Sequence, residues 1–540
     1  MEPSTLAKRR SLLLFVPIFF FYLYGLGYLP LVGPDEPRYA QVAREMFARH
    51  DLITPTLGWH TWFEKPVLLY WGMMAGYKVF GVSEWSARLG PALSGILTIL
   101  AVWWIARRIE RITQRAGFAF LSTLVIASSG GLIVFSRGAS FDIVITMTLT
   151  WALSFFLAQE LETKNRNWFL AAFYVFVGLS LLAKGLIGIV LPAGIIGCFY
   201  VFRLRWPLRH VLISMVWGIP LALLVAGVWY GPVIARHGWL FINEFFIQHH
   251  FARYFSNKYQ HPQPIYFYLP VLLILTLPWT VFLLDSLIKA RTWNRQIDEV
   301  TKITRLFGMA WLVVPVVFFS FSGSKLPAYI LPSLSAAALL TGDRLTSFLR
   351  EENGIRVMRI TGFACLALAI AGGIFAHSTG KISVACVVAI STSAALISIL
   401  IIFLAAKRLT SIVMAALIPF VVCLIALNCA VGSIGARESV RDLIRSADAA
   451  GYGNSPLAMF NRIDRSSEFY ATGRVVYAAD GDPLKVDNPE EILAQLKKAN
   501  GPLLLIVPLG SLANLEAIKA VQTIPIADNG RNAIVAIRTK

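Results

Sequence analysis

The sequence predicts an α-helical integral membrane protein of about thirteen transmembrane helices, followed by a small C-terminal α/β unit in water. Three observations predict it. Of 540 residues, 57% are hydrophobic and 15% charged, where a soluble domain carries about 45–50% and about 25%. Mean hydropathy is +0.65, too apolar for a fold built in water. Basic residues gather in short connectors between apolar stretches, which is the pattern of membrane topology rather than of a nucleic-acid groove, even at a net charge of +19.

The first apolar run, 11–32, follows Lys8, Arg9 and Arg10. It is too long for a signal-peptide core and lacks a small-residue cleavage site, so it is expected as an uncleaved first helix. Further runs of spanning length lie near 86–106, 117–135, 139–159, 167–183, 185–202, 208–230, 265–285, 303–321, 327–345, 357–376, 382–405 and 411–432. Another stretch, Val67 to Val82, is shorter and contains Lys78. If it crossed, every basic connector after it would lie outside, so the excess of Lys and Arg on the cytoplasmic side places it in or near the interface. Thirteen crossings then leave the N-terminus in the cytoplasm and the C-terminus outside. Segments 33–85 and 231–264 become outer loops, and 1–435 forms the membrane unit that carries them.

From about residue 436 the chain changes character. Short apolar runs at 456–460, 474–478, 502–507 and 533–537 alternate with helical patterns at 439–449 and 489–499, which predicts a small α/β domain over 436–540. It holds no phosphate-binding loop, dinucleotide fingerprint or catalytic triad, so an accessory role is expected. All five cysteines lie within apolar stretches, so the soluble parts carry no disulfide framework and spacing says nothing about compartment.

The outer segments hold the polar residues that a membrane fold does not place idly. Adjacent carboxylates, Asp35 and Glu36, stand where the first helix leaves the membrane, ahead of Pro37 and Arg38. Pro37 suits a first helical turn and Asp35 an N-cap; a capped surface helix with solvated charges is the plain alternative. Glu64 and Lys65 follow Trp59, Trp62 and Phe63. An interfacial aromatic belt with one ion pair explains them as readily as a phosphate-binding lysine beside a flat apolar surface. Arg137, Asp142, Lys184 and the Ser322–Tyr329 turn put charges at outer helix ends, where snorkelling is common. Asp142 and Lys184 abut apolar segments, and they can pair with each other. Four of the eight histidines (His237, His249, His250 and His261) fall in the 231–264 loop with Glu244 and Arg253, without a zinc-site spacing.

Taken together, GPDEPRYAQVAREM, WFEKPVLLYW, SFD, LLAKG and SGSKLPAYILP, in that order, resemble the polyprenol-phosphate-dependent glycosyltransferases of the GT-C class. More narrowly, they look like the bacterial aminoarabinose (lipid A) transferases related to protein O-mannosyltransferases. The likeness in motif runs from about residue 12 to 340; later helices match in architecture. It implies Asp35 as principal catalytic carboxylate, Arg38, Lys65 and Tyr329 as holders of the donor phosphate, and Glu64, Asp142 and Lys184 completing the cavity. It also brings His249 towards Glu64, where related enzymes hold a cation; a divalent zinc, magnesium or manganese ion there is an open option, not a requirement. The Lys65-Pro66-Val67 sequence departs from the Lys-Pro-Pro of the family, and the His249-His250 doublet leaves open which ring matters.

The function so implied is transfer of a sugar, 4-amino-4-deoxy-L-arabinose as first choice, from undecaprenyl phosphate to lipid A phosphate at the periplasmic face of the bacterial inner membrane. The partners expected are the lipid-linked sugar, a lipid A or other glycolipid acceptor and membrane lipids, with no nucleic acid and a monomeric chain. A mannosyl or hexosyl transferase acting on another glycan or on protein keeps the fold and changes the substrates. A transporter would need inverted repeats and mid-helix charges, and the candidate charges here sit at outer helix ends.

Overall fold

The computed structural model describes residues 15–252, 263–292, 298–350, 354–479, 481–499 and 501–539. Arg253 and His261 lie outside the described residues, as does the side chain of His250. Among the described residues, eight helices are long and apolar enough to cross a membrane, or nine if one bent pair counts as a span. The chain is a multi-pass membrane protein.

Several expected spans are less regular than the sequence suggests. The 117–135 run breaks after Ala127 into Phe118–Ala127 and Gly130–Phe135. The 185–202 run forms the shorter apolar helix Ile187–Arg203. The 265–285 run is two helices, Ile265–Leu275 and Thr280–Ile288, bent by 119°. The freed backbone is satisfied locally: the amide of Gly130 donates to the carbonyl of Leu277 at 2.9 Å, and Trp279 Nε1 to Ser128 Oγ at 2.9 Å. Irregular backbone at this depth needs such protein partners, because hydrocarbon offers none. Leu68–Phe80 is a helix of thirteen residues, about 20 Å long and short of a span.

Helix contacts rest on small residues and interhelical hydrogen bonds, since burial of apolar surface gives little drive inside lipid. A Cβ at Gly178 would stand 2.6 Å from the Ala222 carbonyl, so helices Arg166–Lys184 and Arg209–Phe241 touch backbone to backbone. Ser180 Oγ donates to Thr148 Oγ1 at 2.9 Å, pinning Arg166–Lys184 antiparallel to Phe141–Leu161. The 231–264 segment is not a loop at its start. Helix Arg209–Phe241 runs on past 231, turns at Gly238 (φ +54°) and continues as a π-helical stretch, Ile242–Ala252.

Beyond helix Val431–Glu438 the chain forms a five-stranded sheet in the spatial order Lys485–Val486, Leu457–Phe460, Leu503–Pro508, Asn532–Thr539, Val521–Asp528. The first three strands are parallel and the last two pair antiparallel. Alternation sends Leu503, Leu505 and Val507 to one face with Ile492 and Leu496, and Leu504 and Ile506 to the other with Leu443 and Ile444. Three of the four apolar runs expected as strands are strands. The 474–478 run makes only isolated bridges, and Val521–Asp528, whose burial does not alternate cleanly, went unanticipated.

This tail sits on the first outer loop. Arg44 Nη1 donates to the Phe469 carbonyl at 3.1 Å and to Thr472 Oγ1 at 3.0 Å, and Thr472 Oγ1 donates to Gln41 Oε1 at 2.9 Å. The Tyr470 hydroxyl accepts from the Leu31 amide at 2.7 Å and donates to Glu84 at 3.1 Å. Cys386 and Cys429 form a disulfide between helices Val384–Phe403 and Arg408–Cys429, a cross-link that their positions inside apolar runs did not suggest.

Candidate active site

The first element of the site is helix Glu36–Ala48, with Pro37 in its first turn and Asp35 at the N-cap position. Asp35 makes no cap bond through its side chain. Its carboxylate instead accepts from Arg38 Nη2 at 2.6 Å and remains half-exposed, at 51%. Glu36 is the anchor. It accepts from Arg88 Nε at 2.7 Å and Nη2 at 2.8 Å, from the Ala139 amide at 2.8 Å and from the Val32 amide at 3.2 Å. Arg88 is 1% exposed and also donates to the carbonyls of Leu26 and Pro30, at 2.7 and 2.9 Å. One buried, bidentate pair thus ties the end of the first apolar run, the loop helix and the 136–140 turn together, and fixes the direction of Asp35.

The second element is a two-residue hairpin, Thr56–Leu57 with His60–Thr61, that leads into Glu64 and Lys65. Buried Glu45 holds it by accepting from Thr56 Oγ1 at 2.7 Å and from the amides of Gly58 and Trp59 at 2.9 and 3.1 Å. Gly58 takes a left-handed φ of +59° there. Glu64 meets Lys65 Nζ at 2.7 Å and Arg38 Nη1 at 3.9 Å, and the Arg38 guanidinium lies over the Trp62 ring at 5.4 Å. Burial disfavours the Arg38 charge, but Glu64 and Asp35 more than offset it and hold its pKa above the ordinary value.

The third element comes from the antiparallel pair of spans. Ser140 Oγ caps the Asp142 amide at 3.1 Å, while helix Arg166–Lys184 ends at Gly185, φ +70°. Asp142 therefore starts one helix beside the end of the other, and it makes a direct salt bridge with Lys184. Lys184 Nζ lies over the Tyr329 ring at 4.5 Å. Tyr329 stands in the short helix Pro327–Ile330, next to a turn where buried Lys325 donates to the Gln263 carbonyl at 2.9 Å.

These elements close around one cavity of about 500 Å³. Asp35, Glu64, Lys65, Asp142, Lys184, Tyr329 and His249 all line it, while Arg38 stands behind Asp35 and Glu64 without lining it. Val134, Phe135, Ile187 and Phe319 give it an apolar side. Arg137 is elsewhere, bonded to the carbonyls of Tyr24 and Phe21 at 2.6 and 2.5 Å, so for this residue the plain structural role holds. For a cation, Glu64 and His249 supply two donors. Among the described residues no third His, Cys, Asp or Glu joins a cluster that could hold a metal, so these residues do not by themselves fit a protein-only metal centre.

The dolichyl-phosphate-mannose-protein mannosyltransferase family matches residues 9–294, more than half of the chain and the whole stretch that builds the first two elements. The chain belongs to that family. An undecaprenyl phosphate-alpha-4-amino-4-deoxy-L-arabinose arabinosyl transferase from Enterobacter sp. (strain 638) is 31% identical over 360 residues, 65% of this chain and 62% of that protein. One of the same name from Aeromonas salmonicida (strain A449) is 32% identical over 373 residues, 65% of this chain and 64% of that protein. The chain thus spans less than two thirds of these curated relatives. In fold it is similar to ArnT from Cupriavidus metallidurans. The apo crystal structure has a TM-score of 0.80 at 24% identity over 98% of both chains. The crystal structure bound to undecaprenyl phosphate has a TM-score of 0.79 at 23% identity, over 97% of this chain and 98% of that one.

Proposed function

We propose that this family member is a membrane glycosyltransferase that moves 4-amino-4-deoxy-L-arabinose from undecaprenyl phosphate to lipid A phosphate at the periplasmic face of the bacterial inner membrane. The observation that carries the proposal is the single cavity in which Asp35, Lys65, Lys184 and Tyr329 meet beside an apolar side wall. The relatives' names supply the donor lipid and its sugar, and the lipid A acceptor follows from the family resemblance of the motifs.

In the proposed reaction an oxygen of the acceptor phosphate attacks the anomeric carbon of the sugar. The bond from that carbon to the donor phosphate breaks, and undecaprenyl phosphate leaves with the electron pair. A phosphate monoester, with a second pKa near 6, needs no base to ionise at neutral pH. Asp35 then orients the acceptor or stabilises positive charge on the sugar ring. Lys65 and Tyr329 hold the leaving phosphate, since fixed donors in a partly dry cavity stabilise developing charge without reorganising. Arg38, expected from the motif as a third holder, instead adds its positive charge from behind Asp35 and Glu64. Lys184 is held in place by Asp142. Glu64 shares Lys65 and Arg38, and so fixes both cations beside the cavity.

The proposal includes thirteen crossings, a cytoplasmic N-terminus, and two units, 1–435 and 436–540, the second on the periplasmic side. Supporting it, Tyr268 bonds the Leu326 carbonyl at 3.2 Å at the cavity end, whereas Asp285, seventeen residues past Tyr268, meets Arg344, eighteen residues past Leu326. The bent pair therefore leads from one end of the bundle to the other, as a crossing must. The Cys386–Cys429 disulfide supports an oxidising compartment on that side.

The test is transfer in vitro from purified polyprenyl-phosphate sugars to a lipid A acceptor. Asp35→Asn and Lys65→Ala are each expected to lower the rate by about 100-fold or more while folding normally in detergent. Full activity in both variants would remove this site. The family match favours a second proposal, mannosyl transfer, and the same assay with polyprenyl-phosphate mannose separates the two.

A further inference from the structure

A second cavity lies away from the catalytic one, between helices Arg166–Lys184, Ile187–Arg203 and Arg209–Phe241. At about 770 Å³ it is larger than the catalytic cavity, and its walls are apolar, among them Phe173, Val177, Pro192, Ile196, Met215 and Leu223. Gly197 forms part of the wall, and a Cβ there would meet nothing within 4 Å. Ile187, at the start of its helix, lines the catalytic cavity. Sixteen residues later, at Arg203, that helix ends, so the far mouth of the groove is about 24 Å from the end that lines the first cavity.

At that mouth the chain turns through Leu204, φ +52°, and presents Arg205 and Trp206 as lining residues. Arg205 makes no ion pair among the described residues, and neither do Arg209, four residues on, and Lys164, on the connector whose neighbours Glu160 and Gln159 bond Arg203 and His210. The local carboxylates are already engaged: Glu160 by Arg203 at 2.8 Å and Tyr200 at 2.6 Å, Glu299 by the same Arg203 at 3.4 Å, and Glu162 by Arg108 at 3.6 Å. The mouth therefore carries uncompensated positive charge beside an exposed tryptophan at the level of the lipid headgroups.

We infer that this groove is a binding site for an anionic glycerophospholipid of the leaflet opposite the catalytic cavity, with an acyl chain between the helices and its phosphodiester at Arg205. Bulk lipid would fill an apolar groove without regard to headgroup. A cation at the mouth adds a preference, because basic pockets between membrane helices attract anionic headgroups, by roughly fivefold per side chain. The sugar donor does not explain the charge, since its phosphate belongs at the other end of the helices.

The experiment is lipid binding to the full-length protein in detergent, comparing phosphatidylglycerol with phosphatidylcholine of the same chains. Thermal unfolding and native mass spectrometry provide the readouts. The intact protein should bind phosphatidylglycerol roughly fivefold or more tightly than phosphatidylcholine. Arg205→Gln should bring that ratio to about one, a change at an exposed side chain that leaves the fold alone. Gly197→Phe, which fills the groove from an open position, should abolish saturable binding of both lipids. Equal binding of the two lipids by the intact protein overturns the inference. So does a preference that survives either variant, which would mark a diffuse basic surface. Undecaprenyl phosphate binding that Gly197→Phe removes and Arg205→Gln leaves intact overturns it in favour of a polyprenyl channel.

Discussion

At Asp35 the carboxylate is half-exposed and faces Arg38, whereas one residue later Glu36 is clamped by Arg88 and two backbone amides. The physics of the two positions separates their expected phenotypes. Removing the Glu36 charge leaves a buried guanidinium without its counter-charge, a change that costs about 3–5 kcal/mol. Glu36→Gln should therefore lower the unfolding temperature in detergent, whereas Asp35→Asn should leave it nearly unchanged while transfer is lost. A Glu36→Gln protein as stable as the parent would show that Arg88 is satisfied by the carbonyls alone. Asp142 and Lys184 stood out in the sequence because each abuts an apolar segment, where a charge without a partner is expensive. Asp35, Glu64 and Lys65 stood out by their place in the outer loop and by the family resemblance of their motifs. Arg88 was not legible. It stands four residues after Glu84 at the start of a span, where a charge can reach water, and only the fold reveals that its partners are the carbonyls of the first apolar run and Glu36.

Among elements, the short tail helix Ser466–Tyr470 decides how the sheet meets the first outer loop. Glu468 on it is fully buried, and neither carboxylate oxygen has a hydrogen-bond partner; Arg465 Nη1 is 3.6 Å away. Burial pushes its pKa up to about 7, against the pull of Arg465 and Arg38, with Asp482 adding to the rise. A carboxyl whose folded pKa lies above its unfolded value keeps a proton on folding that the unfolded chain has lost. Stability of the docked tail should thus fall as pH rises between the ordinary glutamate range and about 7, and stay low above it. Limited proteolysis of the tail at pH 5.5 and pH 8 is the measurement, with faster cleavage expected at the higher pH. Glu468→Gln should flatten the difference, and a pH effect that persists in that variant belongs to another group. The hairpin gives a companion prediction. Gly58 has φ +59°, and a Cβ there would stand 2.5 Å from the Tyr477 ring. Gly58→Ala should loosen tail against hairpin and speed the same cleavage at both pH values. Regular elements were readable from periodicity, as helix Pro489–Ala499 shows. The bend of 119° between Leu275 and Thr280, and the continuation of Arg209–Phe241 into the expected loop, were not. Both depend on which neighbours satisfy backbone groups inside lipid, and hydropathy does not carry that information.

For the molecule as a whole, composition settles that the chain lives in a membrane, and the charge of its connectors proposes which way round. The tail meets the first loop through Arg44, Gln41 and Tyr470, so both must lie on one side of the bilayer. The candidate active-site cavity opens among residues of that same loop. Orientation therefore reduces to a single choice: either cavity, tail and the Cys386–Cys429 disulfide all face the periplasm, or all face the cytoplasm. The basic connectors at Arg107–Arg108, Lys164–Arg166 and Arg203–Arg209 lie at the other helix ends, and positive charge is retained on the cytoplasmic side. A lipid-linked donor suits the periplasmic choice, because it needs no nucleotide sugar at the site of transfer. The prediction is that a membrane-impermeant maleimide applied to intact spheroplasts labels Lys519→Cys, an exposed tail position, at once. Lys164→Cys should label only after the membrane is opened. Cys198, Cys365 and Cys423 are the free cysteines of the parent and provide the background control. The reverse pattern would turn the molecule over, put the cavity in the cytoplasm and remove the periplasmic acceptor from the proposed reaction. Labelling of both positions in intact spheroplasts would mean an even number of crossings between them, and the bent pair Ile265–Leu275 with Thr280–Ile288 would then be a re-entrant loop.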